Sequence, residues 1–77
     1  MTDRVINAAI EANLSALAEG LATAAEMAKD GVIAIKANQR NLAIGTVLPL
    51  ERDLPELAGL LTAILALHRR AGQRGAP

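Results

Sequence analysis

Few side chains in this sequence can do covalent or acid–base chemistry. Ser15 is the only serine, His68 the only histidine, and there is no cysteine. A catalytic nucleophile needs a base held beside it, and nothing in the spacing brings His68 to Ser15. Glu19 and Glu26 stand two helical turns apart, and Glu51, Asp53 and Glu56 read as the start of a helix. No carboxylate pair is therefore set up for proton transfer. One histidine without cysteine makes no zinc site. Gly31, Gly45 and Gly59 are isolated and make no phosphate-cradling loop. No catalytic residue, metal ligand or cofactor is assigned, and the chain is not read as an enzyme.

Two clusters could bind a partner. Arg69, Arg70 and Arg74 follow His68, and no acidic residue occurs after Glu56. Guanidinium groups suit phosphate, and an oligomer would multiply them. The plainer account is favourable charge at a helix C-terminus. The sequence has no aromatic residue on which bases could stack. Nucleic acid is thus a secondary expectation. The other cluster is Asn38-Gln39-Arg40-Asn41. Asn38 falls in the heptad phase described below, where a polar residue can set register and oligomer state. The alternative is a polar or phosphate contact through Asn38, Arg40 and Asn41. In an antiparallel assembly, Asn7 and Asn13 would approach Asn38 and Asn41 of another chain.

These residues must be held by very little protein. A chain of 77 residues makes one domain and is marginal without disulfides, a metal or a partner subunit. Hydrophobic residues make up 52% of it, but 17 are alanine. Leucine, isoleucine and valine must build the core, and they are spread along the whole chain. Formal net charge is zero, which gives no global field toward nucleic acid or an anionic membrane. The first residues lack a signal-peptide pattern, and no apolar run reaches the ~18 residues of a membrane span. A cytoplasmic protein with no membrane contact is expected.

Periodicity supplies the architecture. Leu14, Leu21, Ala28, Ile35 and Leu42 recur every seven positions, and Ile10, Leu17, Ala24, Gly31 and Asn38 form a second such series. Together they describe the seam of a helix that needs a partner. Thr2 or Asp3 can cap its start. The Asp30-Gly31 pair and the β-branched residues after it could mark a turn and a strand hairpin over 32–36 and 42–48. The unbroken phase from Ala28 to Leu42 favours one helix from about residue 3 to 44, with any bend at Gly31. Gly45 is its expected stop, followed by an extended link, since Pro49 disfavours helix at Leu48. Asp53, Pro55 and Glu56 read as the N-cap, first turn and capping-box acid of a second helix over about 54–71. That helix is apolar nearly all round between Leu57 and Leu67, with Leu57, Leu61 and Ile64 on its seam. Gly72 ends it, and 73–77 reads as a tail.

The expected fold is all-α: a helical hairpin in a single domain, residues 1–72, that assembles into a multi-chain bundle. The expected partner is the chain itself, as a homodimer or homotetramer, with another protein as a further possibility. An interaction or scaffold role leads. A small nucleic-acid-binding regulator using the arginine cluster, with Arg40 assisting, is the alternative.

Overall fold

Alanine, leucine and glutamate have strong helix propensity, and the chain is helical almost throughout. A computed structural model describes residues 3–75, with side chains through Gly72. Helix α1 spans Asp3–Lys36, α2 spans Arg40–Val47 and α3 spans Leu50–Gly75. No strand occurs among the described residues, so the strand alternative over 32–48 does not form. Thr2, one of the two expected caps, lies outside the described residues.

The first helix ends earlier than the heptad phase suggests, and the break falls at Asn38 rather than Gly31. Asn38 has φ of 61°, the left-handed conformation that terminates many helices. The Gln39 N–H donates to the Ala34 carbonyl at 2.9 Å and the Asn38 N–H to the Ile35 carbonyl at 3.1 Å. These two bonds close the helix end on itself and satisfy carbonyls that would otherwise be orphaned. Gly31, by contrast, is buried in uninterrupted helix. A β-carbon there would lie 2.9 Å from Val47 Cγ1, so the glycine permits the close passage of α2.

The expected stop at Gly45 and the extended link after it are also replaced by helix. Gly45 sits inside α2. Leu48 is helical (φ −53°, ψ −41°) despite preceding Pro49, because its N–H donates to the Ile44 carbonyl. Pro49 cannot donate, which interrupts the ladder between α2 and α3. Its carbonyl accepts from both Arg52 and Asp53 and so starts α3. Asp53 is thus a first-turn residue, not the N-cap. Its Oδ1 accepts from Arg52 Nε at 3.2 Å. Pro55 lies in the second turn, where its missing N–H leaves the Glu51 carbonyl without an intrahelical donor. Both residues are exposed, so water can serve that carbonyl. At the far end α3 continues past Gly72 to Gly75, so the expected tail is helical over 73–75.

The two arms run antiparallel: Gly20 meets Leu57 and Gly31 meets Val47. The result is a rod of 61 × 16 × 13 Å with a radius of gyration of 17.6 Å, against about 11 Å for a compact chain of this length. A rod of two helices has little interior. Its buried apolar residues are Ile6, Ala24, Ala34, Ala43 and Ile64, and Ile6 alone among the described residues is fully enclosed.

Candidate functional site

The surface is where this molecule departs from an ordinary small domain. Two rows of α1 face the returning arm: Ile10, Leu17, Ala24 and Gly31, and beside them Ile6, Asn13, Gly20, Met27 and Ala34. All are buried or half-buried. On α3 the corresponding rows are Leu50, Leu57, Ile64 and Ala71, with Asp53, Leu60 and Leu67. Intrachain packing therefore accounts for Ile10, Leu17, Ala24, Leu57 and Ile64 of the expected seam without a second chain.

The other expected seam residues stay in water. Leu14 is 48% exposed, Leu21 50%, Ile35 48% and Leu61 47%. Ala28 is exposed as well. Each lies one residue beyond a row that faces the other arm, about 100° around its helix. In an antiparallel pair of right-handed helices, that flank falls on the same side of both arms. A cleft of about 280 Å³ shows the shared side directly, because Ala28, Val32 and Ile35 of α1 line it together with Ala43, Ile44 and Val47 of α2. Along α1 this face reads Leu14, Ala18, Leu21, Ala25, Ala28, Val32, Ile35, a second heptad seam without a polar member. Along the arm it reads Ile44, Val47, Leu54, Ala58, Leu61, Leu65, with Glu51 at its edge.

The opposite side is polar. Its groove is lined by Thr23, Asp53 and Glu56 beside Gly20, Met27 and Leu57. Glu26 and Lys29 pair at 3.4 Å and both are about 70% exposed, so the pair adds little stability. Leu42 belongs to this side, beside Asp30, Ile33 and Thr46. It is not continuous with Ile35, because the break at Asn38 shifts the helical phase. Ile33, 67% exposed, forms with Leu42 a small apolar spot near the loop.

The polar clusters are separated. Asn38 serves as the helix terminator, so it is not a seam residue setting register. Arg40 and Asn41 are exposed at the loop end of the rod, and Arg69 and Arg70 are exposed at the open end. A rod of 61 Å keeps them apart, so Arg40 does not assist the arginine cluster within one chain. The Arg74 side chain lies outside the described residues. Asn13 Nδ2 donates to the Ala9 carbonyl at 3.0 Å, which satisfies a polar group placed on an inner row. Thr62, the polar interruption in the apolar helix, donates to the Ala58 carbonyl at 3.1 Å.

The sequence reading missed the inner row Ile6, Asn13, Gly20, Met27, Ala34. Its heptad spacing was visible, but asparagine and glycine within it hid the apolar signal. Among the described residues there is no cluster of three or more groups able to hold a metal. No buried side-chain nitrogen or oxygen there lacks a hydrogen-bond partner. No helix of the described residues is long and apolar enough to cross a membrane. No protein-family model matches the chain, and comparison with curated proteins and with solved structures finds no match.

Proposed function

We propose that this chain is a cytoplasmic, homo-oligomeric interaction protein. Its activity is to associate with copies of itself into a helical bundle, a dimer or tetramer whose ends are presented to another protein. The observation that carries this reading is the continuous apolar face. Monomers seldom leave apolar patches beyond about 300–600 Å² in water. Here leucine, isoleucine and valine side chains roughly half exposed follow one another along both arms. Burial of such surface gains about 25 cal/mol per Å², and the thin intrachain core makes that gain matter.

Sedimentation at micromolar concentration tests the proposal. The chain should sediment as a dimer or larger, and Leu21→Asp should sediment as a monomer. A well-folded monomeric parent would refute it. Arg69 and Arg70, exposed and without a carboxylate partner among the described residues, favour a second reading. In it the bundle binds nucleic-acid phosphate through Arg69, Arg70 and Arg74. Retention of RNA or DNA that weakens steeply with salt is its signature, and no retention at low salt excludes it.

A further inference from the structure

We infer that this chain exchanges its returning arm with a second copy: the turn over 37–39 opens into helix, and α2 and α3 of each chain pack on α1 of the other. The exchange uses the inner rows, which the hairpin already covers, and leaves the outer apolar face as it is. It goes beyond the self-association proposed above and does not rest on it.

The turn carries the argument. Ala37, Asn38 and Gln39 alone join α1 to α2. Asn38 is held at a φ of 61°, a conformation unfavourable to an L-residue. Its N–H and that of Gln39 donate to the Ile35 and Ala34 carbonyls. A continuous helix offers the same two donors partners four residues back, at Ala34 and Ile35. The start of α2 is open as well. Gln39 makes no side-chain cap, and the first backbone bond of α2 runs from the Ala43 N–H to the Gln39 carbonyl. The N–H groups of Arg40, Asn41 and Leu42 are therefore left to water. In a continuous helix they donate to Lys36, Ala37 and Asn38. Residues 35–42 are all exposed, so no packing pins the turn. No glycine or proline lies between Gly31 and Gly45 to stop a helix there. A short link under strain is where exchange of identical elements starts.

The register fits the exchange. Contacts across the hairpin pair residues nearly equidistant from the turn, Gly20 with Leu57 and Gly31 with Val47. Two opened chains, antiparallel about a two-fold axis at the turn, keep that spacing, so the contacts between α1 and the arm are remade between chains. The seven-residue phase also runs through the turn, from Gly31 to Asn38 and from Ala34 to Asn41. In the exchanged pair, Asn38 and Asn41 of both copies meet at the axis, where polar residues fix register. This gives a place to the cluster Asn38-Gln39-Arg40-Asn41, which the hairpin leaves exposed at its tip. What opposes exchange is the joining of two chains. A short link holds its two ends at a millimolar effective concentration, so exchange belongs to millimolar protein and the hairpin to dilute solution.

A distance within one chain tests this. Glu19 and Glu56 are exposed and adjoin the Gly20–Leu57 contact in sequence. The chain has no cysteine, so Glu19→Cys with Glu56→Cys carries two spin labels. The labelled chain is unfolded in urea with an excess of unlabelled protein and refolded at millimolar concentration, which leaves only the intrachain distance visible. The hairpin gives about 20 Å or less, the width of two helices, whether or not its outer face is occupied. Exchange gives about 50 Å, because both positions then lie along one helical path. The long distance should appear at millimolar concentration and vanish on refolding at micromolar concentration. Asn38→Ala favours helix at the turn, whereas Asn38→Gly relieves the strain and weakens helix. The exchange constant should therefore be about tenfold or more higher in Asn38→Ala than in Asn38→Gly. A short distance alone at millimolar concentration, or equal constants in the two variants, would overturn the exchange, and dimeric sedimentation would then leave the outer-face reading standing. Small-angle scattering of the parent needs no substitution. Its maximum dimension at millimolar concentration should approach twice the 61 Å of the rod, and a dimension unchanged from dilute solution would overturn the inference as well.

Discussion

Asn38 is the residue on which the path of the chain turns. Its φ of 61° costs an ordinary L-residue about 1–2 kcal/mol. Asparagine tolerates this conformation and glycine adopts it freely. Asn38→Gly should therefore leave stability unchanged or raise it slightly, while Asn38→Val should lose about 1–3 kcal/mol. Urea unfolding of both variants measures the contrast. A large loss in Asn38→Gly would return Asn38 to a packing role between helices. The glycines separate in the same way. Gly59 is helical and has nothing near its missing β-carbon, whereas a β-carbon at Gly20 would fall on the Leu57 side chain. Gly59→Ala should gain about 0.5–1 kcal/mol from helix propensity. Gly20→Ala should lose stability, because Leu57 must leave its place against α1. Equal effects in thermal unfolding would show that Gly20 is not a point of close approach.

The returning arm is the element in which sequence and structure part most. Helical periodicity made α1 and most of α3 legible, and the antiparallel hairpin followed from two apolar helices of unequal length. The end of α1 was not legible, because the seven-residue spacing passes through Asn38 to Leu42 and imitates a continuing helix. The left-handed cap that breaks it depends on backbone hydrogen bonds to Ala34 and Ile35, which no spacing encodes. Pro49 misled in the opposite sense. Preceding-residue sterics argue for an extended Leu48, but bonds on both sides hold Leu48 helical. The candidate face was half legible. The row Leu14, Leu21, Ala28, Ile35 was visible as a seam. That another row already served the intrachain contact could not be read past Asn13 and Gly20. One consequence belongs to α3 itself. Pro55 removes a hydrogen bond from the second turn, so Pro55→Ala should restore it and stabilise the chain by about 1–3 kcal/mol. Increased helicity and a higher urea midpoint are the expected readings, and an unchanged midpoint would mean that α3 begins closer to Pro55.

At the scale of the whole molecule, folding buries one face of each arm, and the proposed assembly would use another. Ile64 is 8% exposed and packs between the arms, whereas Leu21 is 50% exposed on the outer face. An aspartate at each position should therefore fail differently. Ile64→Asp places an unpaired charge within the rod, which is costly enough to remove helical structure from a core this thin. Leu21→Asp leaves the inner rows intact. Its charge becomes costly only when a second copy covers it, so the expected product is a helical monomer of reduced stability. Concentration makes the distinction quantitative. If native chains associate and unfolded chains do not, mass action raises the melting temperature with protein concentration. The parent protein should show that rise between micromolar and tenth-millimolar concentration. Leu21→Asp should melt lower, with substantial helical signal before the transition and no dependence on concentration. A melting temperature that rises equally in both would locate the association elsewhere. Loss of helix in Leu21→Asp at every concentration would mean that the hairpin has no folded state apart from its partner, and that the two faces act as one core.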